Sequence, residues 1–134
     1  MSMVISDVMT RNPFHVNIRE RVKTAKKIIS DNQINHLPVV DDQFHVAGLI
    51  TDRDIKLSQA VSDDPEFHEN AKVSEVCIKF PYKVGLYTPL LEVVEHMLAE
   101  HIGSALIAED EKLVGIFTKT DACRVLAGKL RGEI

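Results

Sequence analysis

A seven-residue pattern occurs twice in the sequence, and its polar residues have the types and spacing of a binding site. The pattern is a glycine, two apolar residues, a threonine and, three residues later, an aspartate, at 48–54 and at 115–121. A threonine followed three residues later by an acid is typical of a capping box, which satisfies backbone amides at the start of a helix. The same corner exposes N–H groups and the positive end of the helix dipole, which suit an anion. The spacing alone leaves both interpretations open.

Under the ligand-binding interpretation, the polar side chains of each corner match the parts of a nucleotide. Asp54 and Asp121 would accept hydrogen bonds from the two hydroxyls of a ribose, as acidic residues do in dinucleotide-binding folds. Thr51 and Thr118 would donate to a phosphate oxygen, and neighbouring cations would add charge-assisted contacts. The further candidates in the same turns are Arg53, Lys119 and Thr120.

The sequence offers little support for metal binding or for catalysis. Its six histidines include no pair at a spacing typical of zinc ligands, so we predict no metal site. There is no glycine-rich dinucleotide motif or P-loop, and no set of residues that predicts an activated nucleophile. We therefore expect a protein that is not an enzyme. Cys123, just after the second pattern, is predicted to be a small buried apolar residue.

The elements that must position these corners also occur twice, because the chain repeats itself. A shift of 68 positions places residues 6–9 on 74–77 and 34–40 on 102–108, and a shift of 67 places 48–54 on 115–121. Each copy contains a short extended segment, an amphipathic helix, two apolar strands joined by a polar turn, and a closing helix. The sequence thus predicts an α/β (α+β) fold of two β-α-β-β-α repeats with small, mixed or mostly antiparallel sheets. We expect the repeats to form a pseudo-two-fold pair.

The repeat boundaries follow from composition. We place the first repeat at 1–61 and the second at 71–134. The acidic stretch between them, residues 62–70, contains a proline and no periodicity, so it is predicted to be a linker. In the second repeat, Thr88 is predicted to cap the first helix, with Pro89 at its first position.

Length and composition limit the class of protein. The chain has 134 residues, of which 45% are hydrophobic and 27% are charged, and this composition is typical of a folded globular protein. A formal net charge of −4 argues against general binding to nucleic acid or to an anionic membrane. The sequence shows no long apolar run and no signal peptide, and Cys77 and Cys123 form no C-x-x-C pair. We therefore expect a cytoplasmic protein.

Taken together, these motifs resemble the CBS domain, and the two copies resemble the tandem pair known as a Bateman module. The resemblance covers residues 4 to about 128 and rests on segments 7–13, 35–41 and 48–55 and on their counterparts in the second copy. It implies a regulatory module that binds an adenosine-containing ligand, such as AMP, ADP, ATP or S-adenosylmethionine, in clefts between the copies. The residues it implies around the base and phosphate are Thr10, Arg11, Ile78, Lys79, His36, Leu37, Ser104 and Ala105.

The resemblance also implies how such a module would act. Pairs of this family often form homodimers through helices, so we expect a homodimer, with apolar surface on the closing helices at 55–61 and 122–127. A ligand that favours one arrangement of the copies would pass its state to a regulated partner protein, which the sequence does not identify. The alternative is a ligand-free oligomerisation or docking module, in which both Thr-x-x-Asp segments only cap helices.

Overall fold

A computed structural model of the chain describes residues 2–134 and divides into two compact units. The first unit is Phe14–Pro81, and the second joins the segment up to Pro13 with Tyr82–Ile134. Each unit has its own sheet and its own hydrophobic core.

The helices and strands follow the same order in both repeats. The strands are β1 (Thr10–Arg11), β2 (Val16–Asn17), β3 (His36–Val40), β4 (Val46–Thr51), β5 (Lys83–Val84), β6 (Ser104–Glu109) and β7 (Lys112–Thr118). The α-helices are α1 (Val22–Asn32), α2 (Asp52–Val61), α3 (Phe67–Asn70), α4 (Val73–Val76), α5 (Leu90–Glu100) and α6 (Lys119–Leu130). A 3₁₀ helix at Ile5–Asp7 precedes β1.

The sheets are small and mixed. In the first unit β3 pairs in parallel with β2 and antiparallel with β4. In the second unit β6 pairs in parallel with β5 and antiparallel with β7, and β1 adds to the other edge of β7. The order β2-α1-β3-β4-α2, repeated as β5-α5-β6-β7-α6, confirms the predicted β-α-β-β-α repeats and the α+β fold class.

The core of the first unit forms where one face of α1 meets the sheet. Val22, Ala25 and Ile29 are buried at spacings of three and four residues, which places them on the same side of the helix. They join the inward-facing side chains of β3 and β4 in one apolar cluster, and burying each large side chain contributes about 1.5–3 kcal/mol. The buried residues that β3 and β4 contribute to this cluster are Leu37, Val39 and Ile50, and β2 adds Val16.

The second unit builds its core in the same way. Val93 and Met97 of α5 are buried at a spacing of four residues, against the strands β6 and β7. The apolar residues that these strands contribute are Ala105, Ile107 and Phe117. In the first unit the core thus holds the corner between β4 and α2 against the sheet. In the second unit it holds the corner between β7 and α6 in the same way.

Each sheet is completed by a segment of the other repeat. We call residues 4–13 and 72–81 the leading segments, because each precedes the first strand of its repeat. The first lies in the second unit, where Thr10 of β1 pairs with Ile116 of β7. The second lies in the first unit, where Ile78 exchanges two backbone hydrogen bonds with Leu49 of β4, at 2.7 and 3.0 Å. The spatial units therefore do not coincide with the sequence repeats at 1–61 and 71–134.

The predicted cap of α5 is wrong by one residue. The helix begins at Leu90, with Pro89 at the cap position and no side-chain cap from Thr88. The Thr88 carbonyl accepts a hydrogen bond from the Ile5 amide at 2.8 Å, and the Leu90 amide donates to the Met3 carbonyl at 2.9 Å. The Met3 carbonyl, one residue before the first leading segment, thus satisfies the helix amide that a side chain would otherwise cap.

The predicted linker, residues 62–70, contains a helical turn, α3. Asp64 accepts a hydrogen bond from the Glu66 amide at 2.8 Å and another from the Asn70 side chain at 3.0 Å. Phe67 packs against the core of the first unit. One aromatic residue and one turn-forming aspartate order this stretch, and neither produces a periodicity that the sequence would reveal.

The prediction that Cys123 is buried is also wrong. Cys123 is exposed on α6, whereas Cys77 is buried. Its neighbour Ala122 packs against the core, and consecutive helix residues point about 100° apart, so Cys123 faces outward. Burial raises the pKa of the Cys77 thiol, and the nearby Lys79 ammonium only partly offsets that effect.

The close approach of the leading segments requires glycine at two positions. A Cβ atom on Gly48 would lie 2.6 Å from the backbone carbonyl oxygen of Ile78. A Cβ atom on Gly115 would lie 2.5 Å from the sulfur of the Met9 side chain. The first clash is with backbone that is paired with Leu49, whereas the shortest contact at Gly115 is with a flexible side chain. The Thr10 carbonyl oxygen would lie 3.1 Å from the same Cβ, which is tight but needs only a small adjustment.

We predict that Gly48→Ala lowers the free energy of unfolding by about 2–3 kcal/mol, because the Ile78 carbonyl cannot move without loss of its pairing. Gly115→Ala is the matched control and should cost about 1 kcal/mol, because Met9 changes rotamer. Urea unfolding monitored by circular dichroism measures both losses. Equal losses, or a larger loss at Gly115, would contradict the assigned cause.

Candidate functional site

The two Thr-x-x-Asp segments lie at corners where a strand runs directly into a helix. At the first corner, β4 ends at Thr51 and α2 begins at Asp52. The Thr51 hydroxyl oxygen accepts a hydrogen bond from the Asp54 amide at 3.1 Å. The Asp54 oxygen Oδ2 accepts from the Thr51 amide at 3.1 Å and from the Thr51 hydroxyl at 2.7 Å. This is a complete capping box at the start of α2.

The second corner has the same capping box. β7 ends at Thr118, and the Thr118 hydroxyl oxygen accepts from the Asp121 amide at 3.5 Å. The Asp121 oxygen Oδ2 accepts from the Thr118 amide at 2.8 Å and from the Thr118 hydroxyl at 3.2 Å. The structural interpretation of the motif therefore holds at both corners. It does not decide whether the carboxylates also bind a ligand.

The second corner receives two further hydrogen bonds. The hydroxyl of Thr10, 111 residues away in sequence, donates to Oδ1 of Asp121 at 2.8 Å. The Arg124 guanidinium donates to the same oxygen, also at 2.8 Å. Asp121 is 3% exposed, so these donors compensate a carboxylate that is almost fully removed from water.

Sequence reasoning missed Arg124, and it did not connect Thr10 with Asp121. The available signal for Arg124 is the spacing of an acid and an arginine three residues apart on one helix face. No local signal connects Thr10 to Asp121, because the pairing of β1 with β7 brings them together.

The first corner is more open. Asp54 is half-buried, and among residues 2–134 no donor reaches its oxygen Oδ1. Ile78 lies beside β4 through its pairing with Leu49, and its side chain is exposed. His36 is the strand partner of Thr51 on the neighbouring β3, so it begins its strand at the same corner.

The remaining predicted site residues separate into buried and exposed groups. Leu37 and Ala105 are fully buried core residues, and Ser104, the strand partner of Thr118, is buried as well. These three contribute backbone and shape to their corners rather than accessible side chains. The exposed candidates, all in the first turns of the closing helices, are Arg53, Lys119 and Thr120.

Two predicted cations hold their own leading segments. The Arg11 guanidinium donates to the carbonyl of Ser6 at 3.0 Å. Lys79 makes the corresponding contact with the carbonyl of Ser74. Both carbonyls belong to the short helical turns that open the leading segments, so each cation satisfies a helix-end acceptor. By contrast, the ion pairs of the described residues include neither Arg53 nor Lys119.

Within residues 2–134, no cluster of three or more histidine, cysteine, aspartate or glutamate side chains is arranged to hold a metal ion. The same residues form no helix with the length and apolarity needed to span a membrane.

Comparison with known proteins gives a consistent family. The profile of the CBS domain matches residues 5–59 and 73–128. A CBS domain-containing protein of Dictyostelium discoideum is 27% identical over 134 residues, covering 94% of this chain and 92% of that protein. Several curated relatives named homoserine O-acetyltransferase are matched over only 14–24% of their own length.

Solved structures of CBS domain pairs have the same fold. The pair of protein MJ0100, in complex with 5′-methylthioadenosine and S-adenosylmethionine, has a TM-score of 0.83 and 26% identity, covering 96% of this chain and 99% of that one. CBSX2 in complex with AMP has a TM-score of 0.78 and 22% identity, covering 92% and 96% of the two chains, and shares the fold.

We predict that the two aspartates differ in their contribution to stability. Asp54→Ala should lower the free energy of unfolding by about 1 kcal/mol, which is typical for the loss of a helix cap. Asp121→Ala should cost about 2–3 kcal/mol, because it also removes the bond from Thr10 at a buried carboxylate. The Arg124 contact adds little to this difference, because that side chain is 67% exposed.

Thermal and urea unfolding of both variants measure this difference. Asp52→Ala is the matched control: it removes an acid from the same turn of α2, where Asp52 only pairs with Lys56 across one helix turn, at 2.7 Å. Its cost should stay below about 0.5 kcal/mol. Equal losses for Asp54→Ala and Asp121→Ala would contradict the structural role assigned to Thr10.

Proposed function

The chain belongs to the CBS domain family and carries the domain twice, and on that premise we propose that it is a regulatory sensor, not an enzyme, for an adenosine-containing ligand. The observation that carries this proposal is the geometry of Asp54. Its carboxylate is held at the start of α2 by the capping box, yet Oδ1 accepts no hydrogen bond from residues 2–134. A rigid, partly exposed acceptor beside a helix N-terminus suits a sugar diol joined to an anionic group.

The choice of adenosine is supported by the bound relatives. The MJ0100 pair binds 5′-methylthioadenosine and S-adenosylmethionine, which share adenosine and differ in charge. In this chain Arg53 follows the first corner and Lys119 the second, and both are exposed. Cations at these positions favour a phosphate over the sulfonium of S-adenosylmethionine, so AMP, ADP and ATP are the preferred candidates.

The sensor acts through differential affinity. A ligand that binds one conformation of the chain more tightly shifts the population toward that conformation. The shift reaches a regulated protein partner only if that partner also distinguishes the two conformations. Two free cysteines suit a reducing compartment, so we place the sensor in the cytoplasm.

We also propose that the chain forms a homodimer through its closing helices. Leu57 and Val61 of α2 are 55% and 82% exposed, and Leu126 and Leu130 of α6 are 56% and 78% exposed. Each pair is four residues apart, so each forms an apolar strip on one face of its helix. Exposed strips of this kind are typical of surfaces that a second subunit covers.

A ligand-free docking module is the second candidate. It is favoured by the complete capping boxes, which give both aspartates a structural role without any ligand. It differs from the sensor in one measurable property, because it predicts no effect of an adenosine compound on stability.

We predict that AMP, ATP, S-adenosylmethionine or 5′-methylthioadenosine raises the melting temperature of the wild-type protein. At a ligand concentration 100 times Kd the stabilisation is about 2.7 kcal/mol, which corresponds to a rise on the order of 5–10 °C. Asp54→Ala should remove most of this rise while lowering the melting temperature of the free protein only slightly. If none of the four compounds changes the melting temperature at millimolar concentration, the docking module is the better description.

For the homodimer, we predict that the wild-type protein has twice the 15.0 kDa mass of the chain by light scattering after size exclusion. The double variant Leu126→Glu/Leu130→Glu should be monomeric, because charges replace the apolar strip of α6. Lys129→Gln, an exposed change on the same helix, is the control and should remain dimeric. A monomeric wild-type protein would contradict this part of the proposal.

A further inference from the structure

We infer that the two corners have diverged in use: the chain binds one adenosine ligand, at Asp54, while Asp121 serves as an internal lock that holds the first leading segment. This inference rests on the proposed function, since it decides which of two similar corners takes the ligand. It differs from the expectation that both aspartates bind ribose.

The two carboxylates differ in how many of their acceptor positions are already occupied. An ionised carboxylate offers about four lone-pair positions, two on each oxygen. At Asp54 the capping box uses two of them, both on Oδ2, through the amide and hydroxyl of Thr51. The two positions on Oδ1 remain for the two hydroxyls of a ribose.

At Asp121 the same count leaves nothing for a ligand. The amide and hydroxyl of Thr118 use Oδ2. The hydroxyl of Thr10 and the guanidinium of Arg124 use Oδ1, both at 2.8 Å. A ribose would have to replace the Thr10 hydrogen bond and displace the more exposed Arg124, so it would gain little at this corner.

Asp54 is also more accessible to a ligand than Asp121. Asp121 is 3% exposed, whereas Asp54 is half-buried. Thr10 lies in β1, which pairs with β7 through Thr10 and Arg11. A ligand could reach Oδ1 of Asp121 only if the Thr10 side chain rotated away, and this rotation would break its hydrogen bond of 2.8 Å to the carboxylate.

The different surroundings of Asp54 and Asp121 follow from the residues at two pairs of equivalent positions in the repeats. The shift of 68 places Thr10 on Ile78, and the shift of 67 places Arg124 on Leu57. Neither the isoleucine nor the leucine side chain has a hydrogen-bond donor. The first unit therefore has nothing at either position with which to occupy Asp54, although Ile78 lies in the corresponding place beside β4.

Isothermal titration calorimetry on the full chain tests this assignment, with AMP and 5′-methylthioadenosine as probes. The wild-type protein should bind one molecule per chain. Asp54→Asn should weaken binding at least tenfold, whereas Asp121→Asn should keep one site with an affinity within about threefold of the wild type. Thermal unfolding of each variant, measured beside the titration, verifies that it is folded.

A gain-of-site variant keeps the test independent of any loss of folding. Thr10→Ile/Arg124→Leu transfers the residues of the first unit to the second and releases Oδ1 of Asp121, and both side chains are exposed. It should bind two molecules per chain. With Asp54→Asn added, it should bind one.

The possible failures are distinguishable. If neither probe binds the wild-type protein or the gain-of-site variant, the proposed function fails and the inference fails with it. If the wild-type protein binds two molecules, or if Asp121→Asn abolishes binding, the proposed sensor function is supported, but the assignment of Asp121 as an internal lock is wrong. If the wild type binds one molecule and Thr10→Ile/Arg124→Leu also binds only one, the hydrogen bonds of Thr10 and Arg124 are not what closes the second corner.

Discussion

The pairing of each leading segment with a glycine-containing strand is the constraint on which the rest of the structure depends. At Gly48 and Gly115 the absence of a side chain lets a second stretch of chain come within contact distance of the strand. The pairing satisfies backbone groups along β4 and β7 that would otherwise form open sheet edges. It also places residues 10 and 78 beside the two corners, so the chemistry of each corner depends on a segment from the other repeat.

Capping a helix and binding a ligand are compatible roles for one carboxylate, because a cap uses only part of its acceptor capacity. The Asp54 cap uses one oxygen and fixes the position of the other, which prepares the group for a diol without further ordering. At Asp121 the internal donors use both oxygens. Helix capping and ligand binding are therefore compatible at Asp54. At Asp121 the internal hydrogen bonds leave no acceptor position for a ligand.

Different side chains at a few equivalent positions of the two repeats account for this asymmetry. The backbone of both repeats is the same in element order and register, so a corner needs only two different neighbours to change its use. At the corner where Thr10 and Arg124 occupy the remaining oxygen of the carboxylate, the aspartate has a structural role. Under the proposed function, a ligand at the other corner would stabilise the first unit in particular, and the response of the chain would be local.

The sequence by itself determined what depends on neighbours a few residues away. It predicted the two β-α-β-β-α repeats from periodicity and the capping boxes from the spacing of Thr51 with Asp54 and Thr118 with Asp121. Only the tertiary structure decided the contacts between distant residues. It joined Thr10 to Asp121, satisfied the amide of Leu90 with the carbonyl of Met3, and turned Cys123 outward. Local patterns report the conformation of a segment, whereas burial and hydrogen-bond partners depend on which segments pack together, and a single sequence carries no local record of that choice.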